Sequence, residues 1–166
     1  MKYLDLDLYD KICVAEPDPA DLKKWNKQYT KWLVSFERIQ KDFPPEFNAI
    51  FKKHHFHDFR VLDIQLSLDI EKNFYILKLD LESNNNVYQL SFFKVSSFKS
   101  DFDTVRYNSF NWLLCEILSL KNCKTIEILF SDGTLTFEFQ NVQLKSKNQE
   151  HRAPGQSGDG SLIDGN

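Results

Sequence analysis

The densest chemistry in the chain is the run His54-His55-Phe56-His57-Asp58. In an extended segment His55 and His57 project to the same side, and with the carboxylate of Asp58 they could hold one zinc or non-haem iron ion. His54 offers a further nitrogen, but neighbouring side chains rarely converge on one ion, and the remaining histidine is the distant His151. The same residues suit the C-terminal end of a helix, where histidines cap the last carbonyls and favour the negative end of the dipole. Cysteine chemistry is weaker. Cys13, Cys115 and Cys123 form no CxxC pair, so their spacing supports neither a disulfide framework nor a thiolate zinc site. Cys115 lies in an apolar run, where a thiol packs as a small hydrophobe, and nothing local pairs it or Cys123 with a histidine base. Asp101 and Asp103 form a DxD without the downstream acidic ligand and glycine turn of a cation loop, and read as solvated loop. Lys23, Lys24, Lys27 and Lys31, with Lys52 and Lys53 beyond, fit an ordinary exposed face. The sequence therefore nominates no catalytic or cofactor-binding residue, and one candidate metal set: His55, His57 and Asp58.

The elements that must position these residues follow from periodicity. Leu22, Trp25, Tyr29, Trp32, Phe36, Ile39 and Phe43 alternate spacings of three and four, the stripe of a long amphipathic helix. Asp18 as N-cap, Pro19 at the first helical position and Pro44-Pro45 at the end place it at about 19–42. Its Trp25/Trp32 seam suits either the protein's own core or a second copy. A shorter helix from Pro45 to about Lys53 would bury Phe47, Ile50 and Phe51. From Phe59 the period becomes two. Leu62, Ile64, Leu66 and Leu68 oppose Asp63, Gln65 and Ser67 in a half-buried strand; a second runs from Phe74 to Leu81 and a third from Val87 to about Ser97. Asp132-Gly133 predicts a type I′ hairpin pairing Phe130 with Leu135, Ile128 with Phe137 and Ile126 with Phe139, all six on one face. Between meander and hairpin, the apolar residues at 110, 113, 114, 117 and 118 suit a buried helix, preceded by a polar loop over 96–108. Residues 1–14 fit strand or helix equally. The expected fold is α+β: an antiparallel sheet of about five strands, three in a meander and two in the C-terminal hairpin, packed against the long helix and two shorter ones.

Composition bounds what such a domain does. With 166 residues, 42% of them hydrophobic, the chain reads as one domain over 1–145, able to bury a core without disulfides or metal. A net charge of −3 disfavours nucleic acid, whose binding needs clustered cations. No apolar run is long enough for a membrane span, and the aspartates after Lys2-Tyr3 spoil a signal peptide, which points to the cytoplasm. Only Gly133 precedes the four glycines of the C-terminal stretch, so neither a GxGxxG nor a GxxxxGK phosphate loop can form in the body. From Ser146 the chain turns polar and aperiodic, the composition of a flexible tail over 146–166 or of an expression scar.

The succession Met1-Lys2-Tyr3, Leu8-Tyr9, His57-Asp58-Phe59-Arg60-Val61, Trp112-Leu113-Leu114-Cys115-Glu116-Ile117 and Ile128-Leu129-Phe130-Ser131-Asp132-Gly133 resembles a bacterial family of small α+β domains of unknown function from Gram-positive genomes. The resemblance spans residues 1 to about 144 and implies fold and bacterial origin more than activity. In fold and composition the chain is also similar to polymorphic-toxin immunity proteins, which block a partner's active site. Three readings result. The first is a non-catalytic binding protein, immunity-like or an adaptor, with its partner surface on the sheet face or the 96–108 loop. The second is a metal-dependent enzyme at His54, His55, His57 and Asp58, with zinc the candidate cofactor. The third is a self-associating domain joined at the Trp25/Trp32 seam, the chain being a monomer or weak homodimer.

Overall fold

A computed structural model describes residues 1–102, 110–131 and 133–147. Three helices come first. The ambiguous N-terminal segment forms α1, Leu6–Ile12, because the Asp5 side chain accepts the Leu8 amide at 3.2 Å and so caps it. The long helix α2, Pro19–Ile39, starts as expected, with the Asp18 carboxylate accepting the Ala20 amide at 2.7 Å, and tightens to a 3-10 turn over Gln40–Asp42. The third, α3, runs Pro45–His54. The apolar stripe of α2 is consumed within the chain. Trp25 meets Tyr9 of α1 at 5.4 Å between ring centroids, and Phe36 meets Phe51 of α3 at 4.6 Å. Trp32, Phe47 and Phe51 have no exposed surface.

The remainder of the described residues form an antiparallel sheet of seven strands rather than five. They are β1 (Arg60–Asp69), β2 (Phe74–Ser83), β3 (Asn86–Phe102), β4 (Phe110–Ser119), β5 (Lys124–Phe130), β6 (Gly133–Phe139) and β7 (Asn141–Lys147). Two of these correct the sequence reading directly. The expected helix over 110–118 is β4, and its consecutive residues Leu114, Cys115, Glu116 and Ile117 are all buried. A strand covered on both faces shows a continuous apolar run, which periodicity cannot tell from a buried helix. The other is β7. It is a strand that the five-strand expectation did not include, and it pairs with β3, Val142 against Phe92 and Leu144 against Leu90. The Asn84-Asn85 turn joins β2 to β3 with both residues at positive φ, as a type I′ turn requires.

Strand β3 organises the sheet. Its residues 87–93 lie between β2 and β7, while Ser96–Phe102 pair with β6, so most of the predicted 96–108 loop is strand; residues 103–108, including Asp103, lie outside the described residues. The change of partner occurs at register shifts where Lys94 (φ 55°) and Ser97 (φ 51°) adopt left-handed backbone, the signature of bulges that bend a strand. Successive pairings β1–β2–β3–β6–β5–β4 close into a ring, and the last join, β4 to β1, consists of Arg60 opposite Asn111 and Val61 opposite Phe110. The β5–β6 hairpin has Phe130 opposite Gly133, Ile128 opposite Leu135 and Ile126 opposite Phe137, two residues away from the expected register. A slip of two preserves the faces, so Ile126, Ile128, Phe130, Leu135, Phe137 and Phe139 are still buried together.

Candidate functional site

The histidine run sits on an elbow between α3 and β1. The helix must stop and feed a strand within a few residues, and the backbone does this with His55 (φ 49°), Phe56 (φ 58°) and Asp58 (φ 63°) in the left-handed region. Left-handed geometry is costly for side-chain-bearing residues, so surrounding contacts must impose it. They do. Phe56 is fully buried against Phe47 and Trp112, and the Asp58 amide donates to the Trp112 carbonyl at 2.9 Å while the Trp112 amide donates to that of Phe59 at 2.9 Å.

This elbow sends the histidines in different directions. The His55 ring turns inward, 5.3 Å from Trp32 and 5.2 Å from Phe51 between centroids, with Nδ1 at 3.2 Å from the Tyr29 hydroxyl. Burial first, and then the neighbouring His54 and His57, lower its pKa below the usual histidine value. His57 remains in solvent and pairs through Nδ1 with Asp58 Oδ2 at 2.8 Å. With His54, Arg60, Glu82 and Ser83 this pair lines an open cleft of about 550 Å³ that His55 does not reach. The elbow therefore brings His57 and Asp58 together and separates His55 from both side chains. Among the described residues, no group of three or more His, Cys, Asp or Glu is placed to hold a metal ion.

The other sequence candidates are dispersed. Cys115 is buried, its thiol pushed well up by burial, and it donates at 3.8 Å to the His55 carbonyl rather than to an imidazole. Cys13 is exposed at the C-terminal cap of α1, and Cys123 is partly buried beside Glu138, its thiol raised by burial and by that carboxylate. Asp101 is in β3, and Lys23, Lys24, Lys27 and Lys31 are exposed along α2.

Sequence reasoning missed two features. One is Glu116, 2% exposed, whose carboxylate accepts the main-chain amides of Tyr3 at 2.7 Å and Leu4 at 3.3 Å, and also that of Lys2. A lone Glu inside the apolar run 112–118 was the available signal. The other is an uncovered part of the sheet. The alternation in β1 correctly assigns Ile64, Leu66 and Leu68 to the face that carries Leu79 and Leu77 of β2, but the strand is not half-buried as expected. Leu66 is 45% exposed, Leu68 48% and Ile70 84%, beside Tyr75 at 49%. A groove of about 270 Å³ lined by Leu66, Tyr75, Val95 and Phe98 opens there. The β1 backbone has few partners among the described residues. It pairs with β2 throughout, yet with β4 only at Arg60 and Val61, so no described strand occupies its other side from Asp63 to Asp69.

No helix among the described residues is long and apolar enough to cross a membrane. Searches against protein-family models and curated proteins return no match to this chain.

Proposed function

We propose that the chain is a non-catalytic protein-binding domain, immunity-like or adaptor in kind, and that its partner docks on the uncovered end of the β1–β2 hairpin. The observation that supports this reading is the grouping of Leu66, Leu68, Ile70, Tyr75 and Phe98 at the surface. Isolated exposed apolar residues are ordinary, whereas a contiguous group marks an interaction surface. Fully burying an exposed side chain of this kind is worth about 1.5 to 3 kcal/mol, and covering the remaining surface of Leu66, Leu68, Tyr75 and Phe98 contributes part of that each toward the cost of association. The test uses the full chain as bait in lysate of the source organism. A stoichiometric protein retained by the native chain and by Lys145→Glu on the opposite edge, but lost with Leu68→Glu and with Tyr75→Glu, supports the reading. A partner that binds all of these variants equally overturns it.

A second reading, a metal-dependent enzyme, would have to use the His57–Asp58 pair, which lines a cleft with His54 although the three are not placed as a ligand group. Zinc retained stoichiometrically through gel filtration and lost in His57→Ala would favour it, and metal-free protein after incubation with zinc would remove it.

A further inference from the structure

The exposed face of α2 carries charge of one sign. At about 100° per residue, Lys23, Lys27, Lys31, Val34 and Arg38 fall within about 40° of one line along the helix, roughly opposite the buried Trp25, Trp32, Phe36 and Ile39. All four cations are exposed, and Val34 between them is 45% exposed. The nearby carboxylates stand aside or are occupied. Asp21, about 120° round the helix, is taken by Lys24 at 3.4 Å, and Glu37 lies about 80° away on the other flank. Asp18 caps α2 and Asp5 caps α1, while Asp7 lines a separate pocket with Gln28. Among the described residues, none of the four cations has an ion-pair partner. Helix physics does not account for this pattern. Lys23, Lys27 and Lys31 follow one another at intervals of four, where like charges oppose each other, and Lys23 and Lys27 stand in the half of the helix where the macrodipole gives cations no support. A surface that needs only to be soluble intersperses both signs.

One apolar notch interrupts the cations. Tyr3, Thr30, Val34 and Ser35, with Lys31 and Arg38, line a groove of about 290 Å³. Lys2 adds a further exposed cation there, its ammonium 5.2 Å from the centre of the Tyr3 ring. We propose that this face of α2 docks an acidic helix of a partner protein, with carboxylates three or four residues apart opposite Lys23, Lys27, Lys31 and Arg38 and one bulky apolar side chain in the groove against Val34 and Tyr3. The cations repeat at helical intervals over about 22 Å, which a second helix laid alongside can match residue for residue. Nucleic acid and anionic bilayers would also be drawn to the charge, but neither uses the notch. A phosphate backbone has no side chain to place in it, and a bilayer needs apolar residues along the whole face, where Val34 is the one large apolar side chain exposed. The α2 of a second copy would set like charges together. The chain's own remaining residues do not match the spacing either. Beyond Lys147 the carboxylates are Glu150, Asp159 and Asp164, nine and five residues apart, residues 103–109 carry Asp103 with Arg106, and Asp132 stands alone. This goes beyond the binding reading above, since it assigns a second surface on a different element and holds whether or not the hairpin end binds.

The probe is an N-acetylated, alanine-based peptide of about sixteen residues, long enough to form helix, with Glu at intervals of three and four and one central Leu. Titrated against the full chain by fluorescence anisotropy, it is expected to bind, and to bind more weakly as salt rises. The same peptide with Gln in place of Glu should bind about tenfold more weakly. Lys27→Glu combined with Lys31→Glu should weaken the Glu peptide by at least about tenfold, and Val34→Ser by about threefold with an unchanged salt slope. These positions are exposed, so melting temperatures should hold, and Lys145→Glu should bind as the native chain does. Lys27→Gln combined with Lys31→Gln serves if the Glu variant melts lower. Equal binding of the Glu and Gln peptides, native affinity in both double variants, or no binding of the Glu peptide overturns the proposal. Tighter binding by a short DNA duplex, or by vesicles of phosphatidylserine and phosphatidylcholine, that the same double variants abolish also overturns it, and gives the face to nucleic acid or to membrane instead.

Discussion

Glu116 receives the amides of Lys2, Tyr3 and Leu4 at a site where its carboxylate is almost fully withdrawn from water. Removing the acceptor leaves these donors near the core without a partner, and charged-group hydrogen bonds of this kind are worth about 1.5 to 3 kcal/mol. Glu116→Ala should therefore lower the unfolding free energy by about 3 kcal/mol in urea titrations, and Glu116→Gln should recover only part, since one of its two atoms donates toward donors. His55 makes a different prediction. Its folded pKa lies below the ordinary value of 6.5 because the ring is buried against Trp32 and Phe51, with Tyr29 from α2 and the Cys115 thiol from β4 nearby. The unfolded chain then binds the proton more readily than the folded one. Stability from this group is complete above about pH 6.5 and declines as pH falls toward the lowered folded value. Denaturant midpoints measured from pH 7.5 to 5.5 should fall less steeply for His55→Gln than for the native chain.

At the level of elements, Gly133 shows why one glycine was kept in the body. Its φ is +151°, and a Cβ there would lie 2.1 Å from the Asp101 carbonyl oxygen and 2.8 Å from the Phe102 Cα, both on β3. Gly133→Ala should force β6 away from β3, with a loss of about 2 kcal/mol or more in chemical denaturation and faster amide exchange over 96–102. The Asp-Gly pair made the β5–β6 hairpin legible, although Gly133 is itself the first residue of β6, and the burial of Ile126, Ile128, Leu135 and Phe137 followed from alternation alone. The register was not, because a slip of two costs nothing in facing and is decided by the contact of Gly133 with β3, a strand some thirty residues earlier in the chain. Helices α2 and α3 were readable from Asp18-Pro19, Pro44-Pro45 and their apolar spacing, which are local signals. Strand β4 was not, since its burial on both faces depends on residues 1–4 and α2 arriving from elsewhere. The histidine run was legible as a cluster, but its divergence arises from three left-handed residues that Phe56 and Trp112 impose, and no local pattern announces them. For β1, the sequence showed an apolar face without showing that Leu66 and Leu68 on it stay about half exposed.

In the molecule as a whole, the ring of strands is closed by the join that is shortest among the described residues. Among the described residues, β1 and β4 pair at Arg60 with Asn111 and Val61 with Phe110, reinforced by the bonds of Asp58 and Phe59 to Trp112. Local opening follows the fewest buried contacts and bonds. Native-state hydrogen exchange should find the amides of 58–61 and 111–112 opening well before those of 77–81 and 88–92, and equal rates in the two sets would show that the join is not the weak point. The double pairing of β3 has another consequence, for synthesis. Residues 87–93 need β7, whose Val142 and Leu144 cover Phe92 and Leu90, and β6 is needed for 96–102. The strand around which the sheet is built thus emerges from the ribosome some fifty residues ahead of the last strand that shelters it. During that interval its apolar side chains and one open side are exposed to any chaperone at the exit tunnel, and the domain is committed to fold only when its last strand arrives.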